Sequence, residues 1–365
     1  MITRPRRAAQ HGFSLTEILV GMVIGLITIL AIMQVMSVFE AQKRTTSGSN
    51  DAQTNGSIAL YSIQRVLQMS GFDLSTYSPT FRPLNCNPEP TTTVNGVAGV
   101  GIFPVSITDG GTAAGASDSI TVRGDLLPPA VASQVGQSFA GMPTTIVQSP
   151  TGSTLTVDNN MGCAVGDLAL TMQSSVIYPN PTCTLNHVTG LSGTNQVTLD
   201  SITGIGLRDG LACLKNWVQL TYSVDTSVAG SALRENANII TPGIVMLRAQ
   251  YGISDPGTPT SSAIVDWVGA TGSWVTPSIT NRKLIRAVRI AIIARSGQYE
   301  KEVVSQPCSS TTAANPTGVC AWTGSAGSPA PQVDLSNDPN WQHYRYRVFE
   351  TVIPLRNTIL GAASL

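Results

Sequence analysis

The sequence predicts an α+β protein, with a long N-terminal α-helix packed on an antiparallel β-sheet that carries a large β-rich insertion. Three observations predict it. No proline falls between Pro5 and Pro79, an uncharged apolar run fills Ile18–Phe39, and from Phe72 onward Thr, Ser, Gly and Val recur in short alternating runs. The 365 residues leave room for two or three ordinary domains. Hydrophobic residues make up 42% of the chain, enough for a real core and against wholesale disorder. Charged residues make up only 12%, about half of the roughly 25% usual in soluble domains. The 21 basic and 21 acidic side chains cancel, which argues against a general nucleic-acid binder. A single stretch long enough to cross a bilayer excludes a multi-span transporter.

The helix comes first. Ile18 to Phe39 is a run of 22 residues without charge, sufficient for the roughly 20 needed to span the hydrocarbon core. Arg4, Arg6 and Arg7 precede it, so the positive-inside rule keeps the amino terminus in the cytoplasm and sends the remainder outward. A secretory signal would carry a shorter apolar core followed by a small-residue cleavage site; here the small residue, Gly12, precedes the run. Glu17 stands at the cytoplasmic edge of the greasy segment. A carboxylate at the centre of such a helix costs roughly 2.5–3.5 kcal/mol, less near an edge, so a partner is expected.

Past the apolar run, Leu60, Ile63, Val66 and Leu67 give one apolar helical face, and Ser70-Gly71 is a plausible stop with Gly71 as the left-handed cap. A helix from Phe13 to about Ser70 would be about 87 Å long at 1.5 Å per residue. Gly48, Asn50, Asp51, Asn55 and Gly56 are weak helix formers, and a break is expected among them.

Strands are expected at Ser119–Arg123, Thr144–Gln148, Thr154–Val157, Leu168–Met172, Gln196–Leu199 and Val218–Val224, separated by turn chemistry such as Asp109-Gly110-Gly111 and Pro128-Pro129. Val288, Ile290 and Ile292 alternate with Arg289, Ala291 and Ile293, the pattern of a half-buried strand. Residues 254–262 and 305–340 read as loops.

Six cysteines on an exported chain suggest disulfides. Cys308 and Cys320 bracket a flexible loop and are expected to pair, with roughly 3 kcal/mol gained from closing so short a loop. Cys163–Cys183 is the next expected pair, which leaves Cys86–Cys213 by elimination. No CxxC spacing occurs and the only histidines are His11, His187 and His343, so no metal site is expected. The catalytic signatures GxSxG, HExxH and Walker A are missing from the sequence, and no cofactor is expected. Gly204–Gly210 has the wrong glycine spacing for a nucleotide loop and reads as a hairpin. Asp334, Asn337, Asp338 and Asn340 lack EF-hand spacing and read as a solvated turn. His343–Arg347 reads as an alternating strand, arginines in water and tyrosines on the sheet, rather than as a nucleic-acid stacking platform.

The basic leader, Gly12, then Phe13-Ser14-Leu15-Thr16-Glu17 and the apolar helix resemble the type III signal of type IV prepilins. The resemblance implies that a membrane prepilin peptidase cuts between Gly12 and Phe13 and methylates the new Phe13 amino terminus. It also implies that Glu17 pairs with the amino terminus of a neighbouring subunit in the apolar core of the filament. Gly12, lacking a Cβ, suits close backbone approach by a protease. Major pilins often carry a proline in the second half of the apolar segment, where this chain has Gln34 and Met36.

Three later blocks resemble the PilW family of minor pilins: Leu247-Arg248-Ala249-Gln250-Tyr251-Gly252, Ala287-Val288-Arg289-Ile290 through Arg295-Ser296, and Arg347-Val348-Phe349-Glu350-Thr351 through Leu355-Arg356-Asn357. The resemblance implies a pilin-like fold. Residues 1–12 would be a cleaved leader, 13–40 a transmembrane and filament-core helix, and 41–71 an amphipathic helix continuing into the globular part. Residues 72–241 would be the β-rich insertion and 242–365 the C-terminal pilin-type sheet region.

The implied function is a non-catalytic minor pilin that primes pilus assembly and sits at or near the tip. Its implied partners are prepilin peptidase, other minor pilins, the major pilin and the inner-membrane assembly platform, with no nucleic acid. It would be single-pass in the inner membrane with its bulk in the periplasm before assembly, and in the pilus afterwards. Two alternatives remain open: a type II secretion pseudopilin of the J type, and a pilin-anchored tip adhesin or DNA-binding module housed in the insertion. The long insertion favours the pilus over the pseudopilin.

Overall fold

The computed structural model describes residues 14–74, 80–126, 145–178, 180–227, 231–309, 317–324 and 330–362. Helix α1 runs unbroken from Leu15 to Met69, so the break expected among Gly48–Gly56 does not occur. Packing overrides propensity here. Ala52, Ala59, Ile63, Val66 and Leu67 are all at most 1% exposed and fall on one helical face. Gly48 and Gly56 belong to the same small-residue stripe, and a Cβ on Gly56 would lie 2.0 Å from the ring of Phe349. The glycines set how closely the helix approaches the sheet. At the C-terminus the Ser70 hydroxyl donates to Leu67 O (2.7 Å). Gly71 then takes φ +65, the left-handed conformation that ends the helix as expected.

Beyond α1 the chain is β-rich. Strands β1 (Thr92–Val94) and β2 (Val97–Val100) form a hairpin. Strands β3 (Val105–Thr108) and β4 (Ser119–Asp125) begin a sheet that the chain leaves after Asp125 and re-enters at β11 (Trp217–Asp225), where Trp217 pairs with Asp125. Strands β12 (Ala232–Glu235) and β13 (Asn238–Pro242) complete it in the order β13-β12-β11-β4-β3.

The described strands between β4 and β11 form a closed barrel: β5 (Thr145–Thr151), β6 (Thr154–Val157), β7 (Leu168–Met172), β8 (Cys183–Ser192), β9 (Gln196–Leu199) and β10 (Gly210–Leu214), ordered β10-β5-β6-β9-β8-β7. The barrel is thus inserted into one antiparallel hairpin of the larger sheet. Thr144, at the start of one expected strand, lies outside the described residues. Gly204–Gly210 is not a hairpin: it links β9 to β10, which are not neighbours in the barrel.

The disulfides correct two expected pairings. Cys86 bonds Cys183 and Cys163 bonds Cys213, in place of Cys163–Cys183 and Cys86–Cys213, while Cys308 bonds Cys320. Strand alternation decides the partners. Cys213 points into the barrel core with Ala169 and Leu211, whereas Cys183 points outward with Leu168, Leu170 and Met172 into the main core that holds Cys86. The Cys86–Cys183 bond is one part of a clamp. Asn87 N–H donates to Pro181 O (3.1 Å) and Ser175 N–H to Thr80 O (2.7 Å), and Phe81 presses on Gly210.

Cys86–Cys183 spans 97 residues, and a loop of that size is worth about 4–5 kcal/mol in the chain-entropy model. Replacing both cysteines by alanine is therefore expected to lower the melting temperature of the oxidised protein. Limited proteolysis should be faster in that variant than in the oxidised native protein. An unchanged melting curve and digest would show that the clamp contributes nothing.

The last sheet is β15-β14-β16-β17, all antiparallel: β14 (Ile244–Ile253), β15 (Asp266–Val268), β16 (Ile285–Arg295) and β17 (Tyr346–Pro354). Strand β16 is buried almost throughout, not half-buried. One face, with Val288, Ile290 and Ile292, joins α1 in the main core. The other, with Ile293 and Met246, is covered by Val333, Leu335 and Trp341 from the 305–340 connection and the turn after it.

Charges inside this layer are tied down. Arg286, 1% exposed, donates to the carbonyls of Ser261, Lys283, Ile285 and Pro259, fixing the loop before β16. Asp118 bridges to Arg248 at 2.9 Å; burial pushes its carboxyl up, opposed by Arg248 and by the N–H groups of Gly110 and Ala249. The alternation expected for His343–Arg347 does not hold. Trp341–His343 is a 3₁₀ turn and the strand starts at Tyr346. Arg345 pairs with Glu300 (2.5 Å), and Arg295 lies over Tyr344 (4.3 Å). Nor is the 334–340 turn simply solvated, since Asp338 binds Arg295 at 2.8 Å.

Candidate assembly site

The first half of α1 presents apolar side chains to its surroundings on every side. Leu15, Met22, Leu26, Met33 and Phe39 are 61–79% exposed, and the intervening large side chains are at least 48% exposed. A bare apolar rod of this length has no counterpart in a soluble fold, where a helix keeps one polar face. It is the one helix among the described residues long and apolar enough to cross a membrane. The rod meets the globular part near Ser37, Glu40 and Thr45, which line an open cleft of about 440 Å³ together with Tyr299–Glu302.

At its tip, Ser14 is the N-cap with extended backbone (ψ 142). Glu17 sits in the first turn, where the positive end of the helix dipole favours a carboxylate. Its Oε2 accepts a long hydrogen bond from Ser14 N–H (3.4 Å). The carboxylate therefore reaches back to within one residue of Phe13, and Glu17 itself is exposed. No basic side chain is paired with it among the described residues. Gly12 and Phe13, the expected cleavage junction, lie outside the described residues.

The docking of α1 on the sheet is the second part of the site. Sequence reasoning found Ile63, Val66 and Leu67 but missed Gly56 and Phe349, which meet across the helix–strand contact. A signal was present. Gly48, Ala52, Gly56 and Ala59 recur every three or four residues, which places small side chains on a single face. Near the helix end, Asn357 donates to Ser70 O (3.0 Å), tying the end of the PilW-like block to the end of α1. These contacts dock the second half of α1 on the sheet of the globular part.

Residues 218–357 match the family model described as Type IV Pilus-assembly protein W, and residues 7–33 match the Prokaryotic N-terminal methylation motif. The first match starts at β11 and ends just beyond β17; the second starts within the basic N-terminal stretch and takes in most of the apolar rod. No curated protein and no solved structure matches the chain.

Proposed function

We propose that this PilW-like protein of the type IV pilus, a minor-pilin-like chain, acts as a structural subunit that primes filament assembly and sits at or near the tip. In this reading prepilin peptidase cuts between Gly12 and Phe13 and methylates the Phe13 amine. The rod then holds the protein in the inner membrane, with its bulk in the periplasm, until other minor pilins and the assembly platform draw it into a filament. The observation that carries the reading is the exposed apolar rod with Glu17 at its tip and no basic side chain paired with it among the described residues.

The physical logic follows from the dielectric. In a bundle of apolar rods a lone carboxylate is costly, and a free α-amine one turn away on a neighbour offsets that cost only at one axial stagger. Pairing of this kind sets register more than strength. The barrel in the insertion adds bulk on the side of the globular part, which suits a subunit present in few copies better than one packed repeatedly along a shaft. A priming role predicts that deleting the gene lowers the number of pili per cell about tenfold while leaving the remaining filaments of normal width. Unchanged pilus counts in the deletion strain would refute priming.

A further inference from the structure

An open cleft of about 420 Å³ lies on the face of the C-terminal sheet opposite α1 and takes no part in the assembly site. Its floor is Arg248 and Gln250, which alternate out of β14 beside Met246 on that face. Its walls carry Trp267, Trp274 and Trp322, a high density of tryptophan for a chain with five.

Asp109 contributes an exposed carboxylate to the cleft lining, where it accepts from Gly111 N–H (2.7 Å), while two buried donors of the lining lack an acceptor. Arg248 is 4% exposed; its Nε donates to Gln332 O (2.8 Å) and its Nη1 to Asp118 Oδ1 (2.9 Å). The remaining nitrogen, Nη2, is buried without an acceptor, as is Nε1 of Trp322. Asp118 already accepts from Gly110 N–H (3.0 Å) and Ala249 N–H (2.8 Å) as well as from Arg248. Gln250 gives its carbonyl to Arg289 (2.9 Å). Arg289 is itself held between the rings of Trp267 (4.8 Å) and Trp322 (4.5 Å). Leaving a buried guanidinium donor unpaired is costly, and a protein with no use for it would be expected to bury an apolar side chain instead.

The two unpaired donors beside half-exposed aromatic faces define the complementary ligand. It brings acceptor oxygens, a negative charge for the guanidinium and a flat apolar face for the rings. We propose that this cleft binds a uronic-acid unit of an acidic polysaccharide, its carboxylate on Arg248 and its pyranose ring against Trp267 and Trp274. The guanidinium is already oriented by Asp118, so a carboxylate gains a charge-assisted bond with little ordering cost. Binding here does not depend on where in the filament the subunit sits.

The test uses the full chain in detergent micelles and follows tryptophan fluorescence during titration with trigalacturonic acid, maltotriose and a short single-stranded oligothymidylate. Saturable change with trigalacturonic acid is expected, at least tenfold tighter than with maltotriose. Arg248→Lys, which keeps a cation for Asp118, should weaken it about tenfold. Trp267→Leu, at a half-exposed position less critical to folding, should do the same with an unchanged circular dichroism spectrum. No response to trigalacturonic acid, equal response to maltotriose, preference for the oligothymidylate, or full binding by a folded Trp267→Leu variant would each overturn the proposal.

Discussion

Glu17→Ala is expected to leave cleavage of the leader intact and to cut the number of pili at least tenfold, with the processed variant accumulating in the inner membrane. The proposed cleavage junction precedes Phe13, whereas the carboxylate lies one helical turn beyond it, so processing and docking should separate at the level of residues. Removing the carboxylate leaves a neighbour's amine facing apolar side chains with nothing to neutralise it, and a buried unpaired charge costs about 3–5 kcal/mol. Glu17→Gln should fail almost as badly, since an amide supplies a hydrogen bond but no charge, while Glu17→Asp should recover part of the activity. Electron-microscopic pilus counts, with immunoblots of membrane fractions, check all three. Normal counts for Glu17→Gln would show that charge is not what the position provides.

Gly56→Ala is expected to destabilise the protein although helix propensity predicts the reverse. Replacing a mid-helix glycine by alanine ordinarily gains about 1 kcal/mol. Here the new methyl would sit 2.0 Å from the Phe349 ring, and relieving such overpacking typically costs about 1–3 kcal/mol. The ring must rotate out or the helix must lift from β17, and lifting also uncovers Ile63 and Leu67. Thermal unfolding should show a lower midpoint for Gly56→Ala and recovery in the double variant Gly56→Ala/Phe349→Leu. A higher midpoint in the single variant would mean that the helix does not approach the sheet this closely. If the filament loads the rod, Gly56→Ala should also reduce pilus numbers in proportion to lost stability.

Local signals were legible where chemistry is local. The apolar run, the Gly71 cap and strands such as Ser119–Asp125 and Leu168–Met172 follow from periodicity and turn residues alone. What could not be read depends on partners distant in the chain. Gly48 and Gly56 look like helix breakers until Phe349 and Gln298, some 250–300 positions on, are brought against them. Cys183 and Cys213 differ only in which side of a barrel wall they face, and the closure that defines inside and outside is invisible in sequence. Strand β16 reads as half-buried because its second cover comes from a segment with no regular pattern, 305–340. The Arg248–Asp118 pair joins residues 130 apart in the chain, beyond the reach of any motif. The residues of the proposed assembly site need no distant partner to be read. The basic N-terminal stretch, Gly12, Phe13, Glu17 and the apolar run are contiguous in the sequence, as a peptidase site and a membrane span would both require.

The most direct test is the intact mass and N-terminal peptide of the protein purified from cells with a working prepilin peptidase. The account predicts a chain that begins at N-methylated Phe13. Recovery of a membrane-inserted chain still carrying Met1–Gly12 would contradict it, because no amine would then lie within a turn of Glu17 on any copy.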